Sequence, residues 1–492
     1  MKWEGDAVVE VKLDNVPRGI LIDGQWEEPS EREPIRVTNP ATGDLLLEIA
    51  NASPDDGMRA LRAADAAQPA FAAMTAQARS GILHRAHALL LESKHELAAI
   101  MTAEMGKPYA EALGEVDYSA SYLQWYAHEG VRVQGSHSRT PNGRGQIVLS
   151  REPVGVSLLI TPWNFPLAMG ARKIAPAIAT GCAVVVKPAE KTPLTMLFFA
   201  KLLEQAGVPA GAVNVITTSQ SSATVAPMLD SGLVRHLSFT GSTQVGSILH
   251  GQCSKHMVRT SLELGGNAPF IVFDDADLDR AVTEISAAKL RNMGEACTAA
   301  NRIIVDERIA DEVAQRLAAH FGTLQVGNGL DDGTQIGPMI DEASCRRIQG
   351  LVDDAVEKGA EVLVGGVLPD GPGNFYPPTV LRNVSRDAKL TKEEIFGPVA
   401  PILTFRTEDE AIELANDTEY GLAGYVLTEN LARAMRVSRR LEIGMVGINS
   451  GIISDAAAPL GGVKASGLGR EGGVLGIDEF LEYKYSFIVD ED

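Results

Sequence analysis

The chain has 492 residues, of which 45% are apolar, and a formal net charge of −20; this length suffices for about three domains. The acidic excess argues against nucleic acid and anionic membrane surfaces as partners, because proteins that bind either usually present a basic face. No apolar run approaches the ~18 residues that a membrane span needs, and residues 1–10 lack the basic and apolar regions of a secretory signal. We therefore expect a cytoplasmic protein.

The cysteines are few and far apart. Cys182, Cys253, Cys297 and Cys345 show neither the clustering of a disulfide framework nor the spacing of a zinc site. We expect a reduced protein without a metal.

The N-terminal third is predicted to be helical. Ser53, followed by proline and two aspartates, has the composition of a helix start, and residues 82–99 have the apolar spacing of another helix. Residues 132–151 are polar and contain several glycines. We interpret them as an excursion that packs elsewhere on the protein.

Between residues 150 and 263, short β-branched runs alternate with helical patterns. The predicted strands are residues 154–160, 183–186, 213–216 and 236–239. A helix is predicted over residues 193–206, with Thr192 as its N-cap and Gly207 past its end. Such alternation is typical of parallel βαβ units, which bind ligands at the carboxyl ends of their strands. We expect the functional site at this edge.

A second α/β region is predicted from residue 269. An acidic first turn at residues 274–277 precedes apolar residues at helical spacing. Thr407 and Glu410 form a capping-box pattern, which predicts another helix start.

Cys297 is a candidate nucleophile. Gly294 interrupts the helical pattern before it and leaves the thiol on a predicted turn. A lone cysteine is more often a small buried hydrophobic residue, so the interpretation depends on its partners.

Asn164 and Glu263 are the candidate partners of this thiol. Asn164 lies between Pro162 and Pro166, on a rigid turn from which its amide could donate to an oxyanion; the alternative is a turn whose Trp163 only packs. Glu263 lies between leucines, and burial without a partner raises the pKa of a carboxyl toward the range of a general base. The alternative is an ion-paired strand residue.

Two segments are candidates for binding a dinucleotide. Residues 239–246, with Gly241 and Ser242, follow a predicted strand and begin a helix, so backbone amides there could meet a pyrophosphate. Lys187 and Glu190 end another strand and suit a ribose diol, although a surface ion pair has the same pattern. The GxGxxG of residues 467–472 follows no strand, and we exclude it as a dinucleotide fingerprint.

In this order, the motifs resemble the aldehyde dehydrogenase superfamily along nearly the whole chain. The matching segments are residues 39–43, 162–166, 187–190, 239–242 and 263–266, Cys297, and residues 393–399 and 461–467. The resemblance implies an α/β fold with a Rossmann-like coenzyme domain, a second α/β catalytic domain and a small β oligomerisation element. It also implies NAD(P)+ as the cofactor and a homodimer or homotetramer.

The resemblance implies a role for each matched residue. Cys297 would attack the aldehyde carbon, and its backbone N–H and Asn164 would bind the oxyanion of the thiohemiacetal. After hydride transfer to the nicotinamide, Glu263 would activate water to hydrolyse the thioester. The residues expected to contact the cofactor are Ile160, Trp163, Lys187, Glu190, Gly241, Ser242, Glu394 and Phe396.

Within the superfamily, the chain is most similar to the succinate-semialdehyde dehydrogenases. Arg172, Arg291 and Ser454 match the residues that bind the substrate carboxylate in that group, so the expected reaction is oxidation of succinate semialdehyde to succinate. Three alternatives stay open: a dehydrogenase for another carboxylated aldehyde such as glutarate semialdehyde, a catalytically silent homologue, and a thiol hydrolase. The arginines could also pair with local acids.

Two positions depart from the pattern of the superfamily, and one bears on the cofactor. Glu295 replaces the usual glutamine, and we expect its carboxylate to raise the pKa of Cys297. Ala299 stands where several relatives have a second cysteine, which excludes a disulfide switch there. Glu190 favours NAD+, because a carboxylate bonds the ribose 2′-hydroxyl and repels the 2′-phosphate of NADP+.

The same resemblance divides the chain into three parts. We place the coenzyme domain at residues 1–131 and 147–262, the catalytic domain at residues 263–470, and the oligomerisation element at residues 132–146 and 471–492.

Overall fold

The structure, a computed structural model, describes residues 9–28 and 32–489. Most of the segment on which the prediction of a missing secretory signal rests, residues 1–8, lies outside the described residues, and the cytoplasmic location stays a prediction. None of the helices that the described residues form combines the length and the apolar character needed to span a bilayer.

The helices are concentrated before residue 130 and then alternate with strands. They are α1 (Pro54–Ala72), α2 (Ala76–Glu92), α3 (Lys94–Met105), α4 (Tyr109–Glu129), α5 (Ala168–Thr180), α6 (Leu194–Gln205), α7 (Ser221–Asp230), α8 (Thr243–Cys253), α9 (Leu278–Leu290), α10 (Ala310–Phe321), α11 (Glu342–Glu357), α12 (Glu408–Asn416) and α13 (Leu431–Arg440).

The strands are mostly short. They are β1 (Ile20–Ile22), β2 (Gln25–Glu27), β3 (Ile35–Thr38), β4 (Leu45–Ile49), β5 (Ser136–Arg139), β6 (Gly145–Pro153), β7 (Ser157–Ile160), β8 (Val184–Lys187), β9 (Val213–Val215), β10 (His236–Thr240), β11 (Arg259–Glu263), β12 (Ala268–Val272), β13 (Ala300–Asp306), β14 (Glu361–Val364), β15 (Thr379–Arg382), β16 (Val399–Phe405), β17 (Ala423–Leu427), β18 (Met445–Ile448), β19 (Gly467–Leu468) and β20 (Leu481–Val489).

The first large sheet has the strand order β19-β11-β10-β7-β8-β9-β1-β2. Its five central strands, β7 to β11, are parallel, and β8 is buried along its whole length, as expected for a sheet covered on both faces. From β7 the chain adds strands first on one side and then, with β10, on the other. The crevice between β7 and β10 is therefore a topological switch point, where such sheets bind ligands.

The second large sheet has the strand order β14-β15-β16-β13-β12-β17-β18. Its strands are parallel except β14, which pairs antiparallel with β15. A separate apolar core lies against it, built from residues of α9, α10 and α11. The two sheets follow one another in sequence where β11 leads into β12, and Glu263 is the last residue of β11.

A three-stranded antiparallel sheet stands apart from both, in the order β20-β6-β5. It joins two segments far apart in sequence, because β20 pairs with β6 along nine residues. The predicted division into domains stays a prediction. The strand pairing differs from it at Gly467–Leu468, which we placed in the catalytic domain and which pairs with β11 of the first sheet.

The helix starts predicted from the sequence are confirmed where the capping residue lies next to the helix in sequence. Ser53 caps α1 in a complete capping box with Asp56, and Asp277 caps α9. Thr407 caps α12, but Glu410 accepts from the backbone of Arg406 rather than from that of Thr407. The predicted helix over residues 82–99 is divided at residue 93 into α2 and α3.

The N-cap predicted for α6 is wrong. The Thr192 hydroxyl donates to the Trp163 carbonyl at 3.0 Å instead. The first N–H groups of α6, those of Leu194 and Thr195, donate to the Glu104 carboxylate at 2.8 Å each. Burial raises the pKa of Glu104 to about 7. A side chain from the end of α3 has taken over a capping role that local sequence cannot indicate.

We expect Glu104→Ala to destabilise the protein, because two buried N–H groups lose their acceptor. Each unsatisfied group costs about 1–3 kcal/mol. A lower midpoint of the first thermal unfolding transition would show the loss. Glu92→Ala, at an exposed position of α2, is the control, and equal midpoints for the two variants would contradict the assignment.

Candidate active site

The carboxyl ends of β7 and β10 form the crevice where a cofactor would bind. Thr161 follows β7, and Thr240 ends β10. The hydroxyl groups of both are buried without a hydrogen-bond partner among the described residues. Unsatisfied buried polar groups are uncommon in proteins. Two of them at the switch point fit a polar ligand such as a dinucleotide.

The predicted cofactor residues border this crevice. Ser242 is the N-cap of α8, and its hydroxyl accepts from Val245 N at 3.4 Å. Ile160 and Lys187 end β7 and β8 and are buried, and Glu190 is exposed three residues after Lys187. Burial lowers the pKa of Lys187, against the opposing effect of the Glu190 charge. A helix N-terminus, a lysine and a carboxylate thus surround the crevice.

Asn164 is held by contacts on both sides of its amide. Its backbone carbonyl accepts from Lys107 Nζ at 2.9 Å and from Asn292 Nδ2 at 3.1 Å. Its side-chain amide donates to the Glu295 carbonyl at 2.8 Å. Because an amide NH2 has two hydrogens, one N–H of Asn164 stays available to an oxyanion.

Lys107 belongs to a buried charge network at the start of α4. It forms an ion pair with Glu115, and both side chains are almost fully buried. The other oxygen of Glu115 accepts from Leu167 N and Ala168 N at 3.0 Å each, at the start of α5. The network therefore attaches the loop of Asn164 to α4.

Cys297 lies after a turn with an unusual backbone. Asn292 (φ 55°, ψ 41°) and Met293 (φ 54°, ψ 22°) adopt left-handed conformations, and Gly294 also has a positive φ, 77°. Such conformations cost of order 1–3 kcal/mol for residues other than glycine. Asn292 compensates by donating its side-chain amide to the Asn164 and Glu295 carbonyls. Strained residues of this kind cluster at functional sites.

The thiol of Cys297 is not ionised in this environment. Burial raises its pKa to about 12, and the negative charges of Glu394 and Glu263 act in the same direction. The positive charges of Arg172 and Arg291 oppose this shift. Formation of the thiolate therefore depends on the cations of the site and on a proton acceptor.

The expected effect of Glu295 on Cys297 stays a prediction. The carboxyl of Glu295 accepts from Ile340 N at 3.1 Å, and the negative charges that act most strongly on the pKa of Cys297 are those of Glu394 and Glu263. Burial raises the pKa of Glu295 well above its usual value, and its second oxygen has no partner among the described residues. The raised pKa of Glu295 favours its neutral form, which has the same charge as a glutamine.

Glu263 is a buried carboxyl without compensating bonds. It is 1% exposed, and neither of its oxygens has a hydrogen-bond partner among the described residues. Burial raises its pKa well above the usual value, and the nearby Glu471 charge adds to the shift. Burial without a hydrogen-bond partner matches the expectation, but the setting is charged rather than apolar, because Arg172, Lys173 and Arg470 oppose the rise of the pKa.

Arg172 forms an ion pair with an acid that the sequence did not identify. Its guanidinium contacts the Glu471 carboxylate, which also receives Lys173 Nζ. Ser238 Oγ donates to Glu471 as well, at 3.2 Å. Against the effect of burial, the two cations lower the pKa of Glu471. The open alternative of a pairing with a local acid therefore holds for Arg172, which nevertheless also lines the cavity described below.

Arg291 and Ser454 lie together on the opposite side. Arg291 Nη1 donates to Ser454 Oγ at 3.5 Å, and the guanidinium lies over the Phe165 ring, 5.1 Å from its centroid. No carboxylate forms an ion pair with Arg291 among the described residues. It is therefore the guanidinium most available to an anionic substrate.

Glu394 and Phe396 border the site from the second sheet. Glu394 Oε1 accepts from Gly266 N at 3.1 Å, and burial raises its pKa to about 7. Phe396 has a positive φ of 48°, which is rare for a bulky residue. Its ring meets that of Trp163 edge to face at 5.5 Å.

One cavity of about 330 Å³ unites most of these residues. It is lined by the predicted residues Trp163, Asn164, Arg172, Gly241, Ser242, Glu263, Arg291, Cys297, Glu394, Phe396 and Ser454. Ile160, Lys187 and Glu190 are not part of its lining and lie farther along the crevice. The sequence did not indicate Glu471, Lys173 or Lys107 as residues of the site. Glu471 lies in the GxGxxG segment, whose sequence offered no sign of a buried carboxylate.

The chain matches the aldehyde dehydrogenase family model over residues 26–486. The chain belongs to the aldehyde dehydrogenase family. The resemblance inferred from the motifs is thereby confirmed.

Individual relatives cover nearly the whole chain. A succinate-semialdehyde dehydrogenase from Paenarthrobacter nicotinovorans is 51% identical over 91% of this chain and 99% of its own length. The succinate-semialdehyde dehydrogenase [NADP(+)] GabD of Escherichia coli (strain K12) is 48% identical, covering 95% and 97%. A glutarate-semialdehyde dehydrogenase from Pseudomonas putida is 47% identical, covering 94% and 96%.

Solved structures agree. The crystal structure of succinate-semialdehyde dehydrogenase from Burkholderia pseudomallei superposes with a TM-score of 0.96 at 45% identity, covering 97% of this chain and 99% of that one. The predictions of the fold class and of an NAD(P)-dependent aldehyde dehydrogenase are confirmed. The residue roles and the choice between NAD+ and NADP+ stay predictions.

We expect Glu295→Gln to stabilise the protein increasingly as the pH rises. A carboxyl whose pKa is raised in the folded state lowers the free energy of unfolding of the protein as the pH rises. The loss begins near the unfolded pKa, about 4.3, and continues through the folded pKa. Glutamine does not titrate. The gain in thermal midpoint over the parent should therefore grow between pH 5 and pH 9.

The matched control is Glu342→Gln, which removes an exposed carboxylate that pairs with Arg346 on the surface of α11. A gain for Glu295→Gln that did not change with pH would show that Glu295 does not titrate as described.

Proposed function

We propose that the protein oxidises succinate semialdehyde to succinate with NAD(P)+ through a covalent intermediate on Cys297. The observation that carries the proposal is the single cavity in which a thiol, an amide donor and a buried carboxyl face two arginines and a serine. The first three groups suit acyl chemistry on an aldehyde. The others suit an anionic group at the far end of the substrate.

Cys297 begins the reaction as the nucleophile. Once the thiol has released its proton to solvent, the thiolate attacks the aldehyde carbon, and the free N–H of the Asn164 amide donates to the oxygen that becomes negative. The bound NAD(P)+ supplies the acceptor for the hydride that leaves the former aldehyde carbon. Loss of that hydride leaves an acyl group on the sulfur as a thioester.

Glu263 completes the reaction by activating water. In its ionised form it takes a proton from a water molecule, whose oxygen attacks the thioester carbon and releases succinate and the Cys297 thiolate. Its raised pKa makes it a stronger base than an exposed carboxylate. Arg172 and Lys173 neutralise Glu471, which limits the repulsion that ionised Glu263 would meet.

Arg291 and Ser454 are proposed to bind the substrate carboxylate, with Arg172 as a further positive group in the same cavity. Arg291 supports this role because it forms no ion pair among the described residues, and its guanidinium contacts the Phe165 ring and Ser454. Hydrogen bonds between charged groups are worth about 1.5–3 kcal/mol each. A neutral aldehyde would lose this contribution.

Relatives named for succinate semialdehyde support the proposal. One relative named for glutarate semialdehyde supports the alternative that glutarate semialdehyde is the substrate. The two substrates differ by one methylene, which an apolar pocket distinguishes by only about 1–3 kcal/mol. An aldehyde panel therefore decides the substrate. Formation of NAD(P)H by any member argues against a silent homologue or a thiol hydrolase.

We expect the highest kcat/KM for succinate semialdehyde in a panel with glutarate semialdehyde and butanal, read as NAD(P)H absorbance. Arg291→Ala should lower kcat/KM for succinate semialdehyde by about 30- to 5000-fold, the effect of about 2–5 kcal/mol. Its effect on butanal, which has the same carbon chain without the carboxylate, should be below about fivefold. Arg172→Ala should share the direction of the effect.

The matched control is Arg280→Ala, which removes an exposed arginine from the first turn of α9, the helix that ends directly before Arg291. An unchanged preference for succinate semialdehyde over butanal in both cavity variants would refute the substrate assignment.

We further propose NAD+ as the preferred cofactor. Glu190 is exposed near the end of β8, where a carboxylate would repel a ribose 2′-phosphate. The named NADP(+) dependence of the Escherichia coli relative makes the comparison informative. Glu190→Gln should shift the kcat/KM ratio toward NADP+ by about tenfold or more, equal to 1.4 kcal/mol. A parent enzyme that prefers NADP+ would contradict the proposal.

A homodimer or homotetramer is also part of the proposal. The three-stranded sheet supports it, because Tyr483, Tyr485 and Phe487 of β20 are large and exposed. Contiguous exposed apolar side chains commonly mark interfaces between proteins.

A further inference from the structure

A second cavity, of about 560 Å³, lies beside the catalytic one. The two share Tyr118, Phe165, Arg291 and Ser454 in their linings. Glu111, on the first turn of α4, lines only the second cavity. None of the chemistry proposed above uses this carboxylate.

Glu111 makes one well-defined bond. Its carboxylate accepts from the backbone N–H of Asn292 at 2.6 Å. Burial raises the pKa of Glu111, while the positive charges of Lys107 and Arg291 oppose the shift. The Glu111 side chain therefore contacts the strained turn that begins at Asn292, and it faces Arg291, the residue directly before that turn.

The bond meets the turn at its first left-handed residue. Asn292 follows Arg291 directly, and Cys297 lies five residues later. The side chain of Asn292 is already bonded to the Asn164 and Glu295 carbonyls, so the bond from Glu111 fixes the remaining, backbone side of the residue. A strained conformation persists only when its surroundings over-determine it.

Glu111 and Glu115 are four residues apart and thus on one face of α4. Glu115 fixes the Asn164 loop through α5 and Lys107, and Glu111 fixes the turn before Cys297. Helix α4 thereby holds both the Asn164 loop and the turn before Cys297 in place.

We propose that Glu111 is a positioning residue, which by its hydrogen bond to Asn292 N holds the turn that orients Arg291 and Cys297. The length of the side chain, rather than its charge, is what the role requires. Only the orientation of Arg291 toward a carboxylate rests on the proposed function. The orientation of Cys297 does not.

Two variants test the length of the Glu111 side chain separately from its charge. Glu111→Gln keeps an acceptor oxygen at the same distance and removes the charge. Glu111→Asp keeps the charge and is one methylene too short to reach Asn292 N. Asp117→Asn is the matched control, because Asp117 is an exposed carboxylate of the same helix that pairs with Lys94.

The first readout is the alkylation of Cys297 by iodoacetamide without substrate or cofactor, located by peptide mass spectrometry. The other cysteines, Cys182, Cys253 and Cys345, are buried. We expect Glu111→Asp to change the alkylation rate and its pH profile, whereas Glu111→Gln and Asp117→Asn retain those of the parent. This readout is independent of the substrate assignment.

The second readout is kcat and KM for succinate semialdehyde and butanal. We expect Glu111→Asp to lower kcat for both aldehydes by about 10- to 100-fold, as misplacement by about 1 Å does, and to raise KM for succinate semialdehyde alone. Glu111→Gln should stay within about threefold of the parent. Thermal midpoints near that of the parent show that each variant is folded.

The proposal is overturned if Glu111→Asp is folded and matches the parent in both readouts, or if Glu111→Gln is impaired as strongly as Glu111→Asp. If alkylation changes in Glu111→Asp but no aldehyde is oxidised even by the parent, the positioning role stands and the proposed function fails.

Discussion

The attachment of α4 to both sides of the catalytic cavity is the constraint on which the site depends. Lys107 and Glu115 form a buried ion pair, and a buried pair of charges is tolerated only when the remaining lone pairs and protons are satisfied. Here they are satisfied by Asn164 and by the start of α5. The hydrogen bonds that compensate the burial of the two charges therefore also fix the loop of Asn164, the proposed oxyanion donor.

The carboxyl groups of the site differ because their partners differ. Glu471 has two cations and a hydroxyl donor, whereas Glu263 has no hydrogen-bond partner among the described residues. In the same buried region, two cations lower the pKa of Glu471 against the effect of burial, whereas burial raises the pKa of Glu263. Two titratable groups whose environments separate their pKa values are the usual arrangement for acid and base roles. Glu471 offsets the charge of Arg172 and Lys173, whereas Arg291 forms no ion pair with a carboxylate in the part of the chain that the structure describes.

Features that depend on neighbours in sequence were predicted well. The start of α1 at Ser53 was recognised because an N-cap bonds to N–H groups two or three residues away. Residues 274–277, predicted as the acidic first turn of a helix, precede α9, and Asp277 is its N-cap. The cap of α6 was not recognised, because Glu104 reaches it from 90 residues earlier in the chain. The same limitation applies to Glu295, whose side chain accepts from Ile340 N, 45 residues away.

The sequence by itself determined the family, the alternation of strands and helices, and the identity of the groups at the strand ends, because motif order and hydrophobic periodicity are local properties of the chain. Only the tertiary structure decided which charges are paired and which stay free. Arg172 and Arg291 look alike in sequence, but Arg172 meets Glu471 and Arg291 meets an aromatic ring and a serine. Pairing, burial and the resulting pKa values depend on residues brought together from distant parts of the chain, and no local pattern encodes those distances.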